Sequence, residues 1–168
     1  MSQTDDLLDD NRDFAAGFSG SGGSPSPTRR LAVLACMDGR IDPHAILGLE
    51  EGDAHVIRNA GGLATADAIR SLALSQHLLG TEEIVLVHHT DCGLQKTTDE
   101  EFAVKVEQAC GERPPWRALA FTDVEESVRE TARRLRESPF LLHRRVRGFV
   151  YEVENGRLRE VQGASDSH

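Results

Sequence analysis

An α/β fold on a mostly parallel central sheet is what this sequence predicts. Helices should flank the sheet, an antiparallel hairpin should close its carboxyl-terminal edge, and a helical arm should precede it. Three observations carry that expectation. Apolar runs of strand length at 31–36, 55–59 and 83–88 alternate with stretches of helical periodicity, the pattern of strand–helix–strand crossovers. Two short runs at 147–153 and 157–161 are joined through Glu154-Asn155-Gly156, and Asn-Gly is a strong hairpin-turn signal. A Gly/Ser/Pro-rich stretch from Gly17 to Pro27 sets the acidic amino terminus apart from this body.

In chain order, residues 1–16 are acidic, and Leu7, Phe14 and Phe18 are spaced to share one helical face. Such a helix needs a surface to pack on, in its own body or in a second subunit. Ten linker residues reach up to about 33 Å, enough for an arm exchanged across a dimer. Residues 1–29 therefore read as arm and linker, 30–163 as one domain, and 164–168 as a disordered tail. Within the domain, the strand at 31–36 leads to a short helix beginning near Pro43, a residue suited to a first turn. His55 to Asn59 is the next strand and runs into Ala60-Gly61-Gly62, where backbone must turn or approach something closely. Thr65 caps a helix through Leu79 and Gly80 ends it. After the strand at 83–88, Thr98-Asp99-Glu100-Glu101 and Thr122-Asp123-Val124-Glu125 both show the capping-box pattern and should each start a helix. Val124, Val128, Ala132 and Leu135 form the apolar stripe of the second, and Pro139 follows its end.

Composition narrows the function. The chain has 168 residues, one ordinary domain, and a formal charge of −9, which argues against a nucleic-acid partner. His143-Arg144-Arg145-Val146-Arg147 is a local basic run, read as a solvated or subunit-contact segment. No apolar stretch approaches the roughly 18 residues of a membrane span, and the acidic amino terminus lacks a signal core, so a cytoplasmic protein is expected. Three cysteines without a pairing pattern look like metal chemistry rather than a disulfide framework, with Cys110 left as an incidental thiol.

The chemistry sits in two short peptides, Cys36-Met37-Asp38-Gly39-Arg40 and His89-Thr90-Asp91-Cys92, each following a strand. If those strands are parallel, both peptides emerge at the carboxyl edge of one sheet, where open α/β folds place their sites. Cys36, His89 and Cys92 then offer two thiolates and one imidazole to a single ion. Three protein ligands of this kind suit catalytic zinc, because a fourth tetrahedral position stays open to water. On an extended strand Cys36, Asp38 and Arg40 would share a face, bringing an acid and its counter-ion to the ligand. Gly93 should ease the bend that lets His89 and Cys92 meet. His88 should face away from His89 and pack or hydrogen-bond. A cysteine-phosphatase loop is excluded, since it needs five residues between Cys and Arg and only three separate Cys36 from Arg40.

At these residues the chain resembles the β-class carbonic anhydrases. Cys36-Met-Asp-Gly-Arg40, Arg58-Asn-Ala-Gly-Gly62 and His89-Thr-Asp-Cys-Gly93 match that family in order, over roughly residues 30–95. The likeness is greatest to its short bacterial members. The resemblance implies zinc on Cys36, His89 and Cys92, an Asp38–Arg40 dyad beside it, and reversible hydration of CO2 to bicarbonate. It also implies a homodimer or dimer of dimers, with a sheet continued between subunits and an amino-terminal helix reaching over the neighbour. The glutamine that the plant branch carries shortly before its first cysteine is missing from Ser24-Pro25-Ser26-Pro27-Thr28. Two thiolates cancel the charge of a dication, so activity is expected to rise toward alkaline pH. Two alternatives share the motifs: hydrolysis of carbonyl sulfide or carbon disulfide on the same scaffold, and a noncatalytic zinc-binding regulatory protein.

Overall fold

The structure, a computed structural model, describes residues 2–20 and 23–165. Its elements run α1 (Gln3–Gly17), β1 (Leu31–Cys36), α2 (Pro43–Leu47), β2 (Ala54–Asn59), a 3₁₀ turn (Ala60–Gly62), α3 (Ala66–Leu79), β3 (Glu83–His89), a second 3₁₀ turn (Gly93–Lys96), α4 (Asp99–Cys110), α5 (Val124–Glu137), β4 (Arg145–Glu152) and β5 (Arg157–Glu160). The five strands form one sheet in the order β2-β1-β3-β4-β5. All neighbours are parallel except β4 and β5, which form the expected hairpin. The predicted fold class is therefore the observed one.

Helix ends follow the capping chemistry, with one shift. Thr65 accepts from the Ala68 N–H, and Thr98 and Glu101 form a reciprocal capping box. The last helix starts one residue later than the motif suggested: Asp123, not Thr122, accepts from the Glu126 N–H. Asp caps at least as well as Thr, so the chain uses the later acceptor. β4 also begins at Arg145, inside the basic run. Arg145 and Arg147 point outward while Val146 and Val150 are buried, so a half-buried strand lies under the charge.

Two apolar layers cover the sheet. Ala32, Leu34, Ile84, Leu86, Val146 and Val150 pack under α3 and α5 with Leu72, Val128 and Leu135. Val33, Ala35 and Val87 face the other way, toward Leu47 and Leu49 around α2. Each large aliphatic side chain buried this way contributes about 1.5–3 kcal/mol. Gly148 lets α5 come close: a Cβ there would lie 2.4 Å from Val128 Cγ1 and 2.8 Å from Ala164 Cβ.

The ends of the domain differ from the sequence expectation. Thr28 and Arg29 donate backbone hydrogen bonds to Gly52 and Asp53, so the body starts before residue 30. Ala164 is fully buried and its carbonyl accepts from Arg136 Nη2 at 2.7 Å, so the packed body also runs past residue 163. The rest of the expected disordered tail, residues 166–168, lies outside the described residues, as do residues 21 and 22 of the linker. The amino-terminal helix forms with a Ser2–Asp5 capping box, and none of its residues is buried. Among the described residues no helix is long and apolar enough to cross a membrane.

Candidate metal centre

Parallel pairing brings the two peptides together. β1 and β3 are adjacent, with Ala35 opposite Val87, so Cys36 and His89 leave the carboxyl edge side by side. β1 is also where the strand order reverses, since the chain steps from β1 out to β2 and then back past it to β3. Crevices at such reversals are where open α/β sheets bind ligands.

Ligand atoms of Cys36, His89 and Cys92 all lie within 4.8 Å of one another, and all three residues are buried. Three features of the trio fit a metal cation. His89 Nδ1 is turned to the Thr90 carbonyl at 2.8 Å, which accepts its proton. That leaves Nε2 as a bare lone pair, and this atom is buried without a hydrogen-bond partner. A ring fixed through its far nitrogen is the usual arrangement for a ligating histidine. Finally, the sulfurs compete for one proton. The Cys36 thiol is pulled down, first by the hydrogen bond from Cys92 and further by the Asp38 and Gly61 backbone amides, against burial. The Cys92 thiol is pushed up by its Cys36 neighbour and by burial. One cation between the two sulfurs removes this conflict.

Beside the trio stands the acid–base pair read from the sequence. Arg40 donates from Nε to Asp38 Oδ1 at 2.9 Å and from Nη2 to Asp38 Oδ2 at 2.8 Å, a bidentate fork. The route to it differs from the strand alternation expected. β1 ends at Cys36, and Arg40 N–H bonds Asp38 Oδ1 at 2.9 Å while Ile41 N–H bonds the Asp38 carbonyl at 2.9 Å. The pair is thus set by a turn closed on the aspartate side chain. Arg40 holds the Asp38 carboxyl well below the usual carboxylate range. Asp38 Oδ2 lies 3.8 Å from His89 Nε2.

Neighbouring residues support this arrangement, and several escaped sequence reasoning. Arg58 donates to the Cys36 carbonyl at 3.1 Å and to the Asp38 carbonyl at 2.8 Å, tying the loop to β2. The bend between His89 and Cys92 falls on Asp91, with φ 58°, rather than on Gly93. Asp91 Oδ2 accepts from Arg40 Nη1 at 2.8 Å. Only the recurrence of charged residues within both peptides hinted at that contact. His44 is exposed beside Asp42, and His55 is bonded to Ser75 and the Pro25 carbonyl, so neither joins the trio. Cys110 is exposed at the end of α4.

His88 is buried behind the site, as its alternation with His89 implied. Its Nε2 bonds the Gly62 carbonyl at 3.0 Å, and a carbonyl can only accept, so the proton sits on Nε2. Burial pulls its pKa down to about 4. Between that value and the ordinary 6.5 the unfolded chain binds a proton that the folded chain refuses. Stability should therefore be unaffected by His88 above about pH 6.5 and fall as pH drops to about 4, by about 3 kcal/mol in all. Urea unfolding of wild type and His88→Phe across that range checks this; equal slopes would refute it.

The comparisons agree with the geometry. A profile of the carbonic anhydrase family matches residues 31–112. Beta-carbonic anhydrase 1 of Mycobacterium tuberculosis is 49% identical over 162 residues, covering 96% of this chain and 99% of that protein. A carbon disulfide hydrolase from an Acidianus species is 37% identical over 158 residues, covering 79% of this chain and 77% of that one. A carbonic anhydrase structure from Streptococcus mutans superposes with a TM-score of 0.89 at 42% identity, covering 96% of this chain and 99% of that chain.

Proposed function

The chain belongs to the β-class carbonic anhydrases, and from that premise we propose how its residues carry out the reversible hydration of CO2 to bicarbonate and a proton. Cys36, His89 and Cys92 hold a zinc ion, and Asp38 and Arg40 are the catalytic pair. The observation that carries this reading is the bare, buried Nε2 of His89 converging with two sulfurs beside a carboxylate that an arginine holds. Zinc, when bound, supplies a Lewis acid that makes hydroxide available near neutral pH.

The chain's own residues do the rest. Thr90 orients the His89 ring through its carbonyl. Backbone amides of Asp38 and Gly61 face the Cys36 sulfur and favour its thiolate. Asp38, kept ionised by Arg40, accepts the O–H of the attacking oxygen and so aims its lone pair at the carbon of CO2. Arg40 also restrains Asp38 from joining the ligand set, because both carboxylate oxygens are engaged by the fork.

The test is zinc content together with CO2 hydration at pH 7 and pH 9, with carbon disulfide and carbonyl sulfide as competing substrates. Stoichiometric zinc with CO2 hydration greater at pH 9 is expected. Turnover of carbon disulfide without CO2 hydration would assign the chain to the other chemistry, and absence of all three would leave a noncatalytic zinc protein.

The assembly we propose is a homodimer, alone or paired again, in which each α1 lies over the partner. Leu7, Phe14 and Phe18 are each more than half exposed, and Asp5, Asp6, Asp9, Asp10 and Asp13 make the helix acidic. A cleft of about 560 Å³ along α3 offers Ile69, Ala73, Leu74, Leu78 and Phe140, with Arg70 and Arg134 at its rim. Apolar stripe and opposite charge match. Deleting residues 2–18 should shift the sedimenting species toward monomer; an unchanged oligomer would refute the exchange. The two site thiols must stay reduced, and the cytoplasm is the compartment that suits them.

A further inference from the structure

Asp91 has no part in the roles assigned above, yet both of its carboxylate oxygens are engaged by cations of the site. It lies between His89 and Cys92, and its φ of 58° is in the left-handed region that few residues other than glycine enter. That twist sends its carboxylate toward the opposite loop. Oδ2 accepts from Arg40 Nη1 at 2.8 Å, the Asp91 carbonyl accepts from Arg40 Nη2 at 3.1 Å, and Oδ1 takes Lys96 Nζ at 2.5 Å.

Asp38 and Arg40 belong to one turn, two residues apart. Their fork fixes each relative to the other, and does not fix either relative to the loop that carries His89 and Cys92. The Arg40 side chain is 48% exposed, so packing does not hold it. Its contacts with Asp91 are the ones that span the two loops through the guanidinium. Lys96 takes the other Asp91 oxygen and offsets its charge, so Asp91 can grip Arg40 without drawing it away from Asp38.

We propose that Asp91 is a positioning residue for the reaction: it locks the outer edge of Arg40 and thereby sets Asp38 against the donor trio. This rests on the dyad reading above. The bland alternative is a surface ion pair, which contributes little to anything.

Glycine at position 91 separates the two, because it accepts the left-handed backbone without penalty and removes only the carboxylate. Asp91→Gly is expected to keep full zinc content and an equal or higher Tm, while kcat falls about tenfold or more with KM little changed. Asp91→Asn should recover much of that loss, since its amide oxygen can still accept from Arg40 Nη1 and asparagine tolerates this φ. A glycine variant within twofold of wild-type kcat, an asparagine variant no better than glycine, or activity lost only in step with zinc would each overturn the proposal. Arg40→Ala is measured alongside. If it is fully active, the dyad reading itself fails; if it is impaired while Asp91→Gly is not, only the role of Asp91 falls.

Discussion

Arg40→Ala should yield a folded protein that still binds zinc and has lost about 100-fold in turnover, the scale expected when a reacting group is misplaced by an ångström or so. None of the three proposed ligands depends on Arg40: the His89 ring is oriented by the Thr90 carbonyl, and the Cys36 sulfur faces backbone amides. Asp38 does depend on the Arg40 side chain, which forks onto both oxygens and is the largest cause of the depressed pKa; in the variant Oδ1 keeps the N–H of residue 40 while Oδ2 loses the fork. Released from the fork, Oδ2 stands 3.8 Å from His89 Nε2 with no guanidinium holding it back. It is then expected to close on the metal as an anionic fourth ligand. Cobalt substitution reports this directly, since the visible spectrum of the variant should differ from wild type and cease to respond to added anions. A variant with wild-type turnover would remove the dyad from the mechanism.

The same residues show what could be read before any coordinates. The convergence of Cys36, His89 and Cys92 was legible because both peptides follow buried strands, and parallel strands in one sheet deliver their carboxyl ends to one edge whatever the intervening loops do. Bidentate pairing of Asp38 and Arg40 was legible as an outcome. Its cause was not, because a turn closed through an aspartate side chain looks in sequence like two more residues of strand. The bend at Asp91 was hidden for a related reason. Glycine is the residue one credits with a sharp turn, whereas the twist here falls on an acid that cross-loop ion pairs hold in place. β4 was misjudged at its start because outward-facing arginines masked the alternation of Val146, Gly148 and Val150. At Asp91 a long-range contact accompanies the local twist, whereas at Asp38 a side chain two residues back closes the turn.

At Gly62 the long-range contact is severe. Its φ is +69°, and a Cβ there would lie 3.0 Å from both the Ala35 carbonyl carbon and the Cys36 nitrogen, and 3.3 Å from His88 Cδ2. Two of those three atoms are backbone of β1, which is held between β2 and β3, and cannot swing away as a side chain could. Gly62→Ala therefore incurs about 1–2 kcal/mol for the left-handed backbone and about 1–3 kcal/mol for overpacking, near 3 kcal/mol together. Gly80 supplies the control, with φ +74° and nothing within 4 Å of an added Cβ. Gly80→Ala should lose only about 1–2 kcal/mol. The two also diverge in function. Displacing Gly62 pushes on the Cys36 backbone and moves the Gly61 N–H that faces the Cys36 sulfur, so zinc affinity should fall about 10–100-fold, the usual range when a ligand loses its support. Thermal unfolding and competition with a chromophoric chelator measure both effects. Equal losses of stability in the two variants, or unchanged zinc affinity in Gly62→Ala, would mean that the glycine turn is only a turn and does not buttress the metal centre.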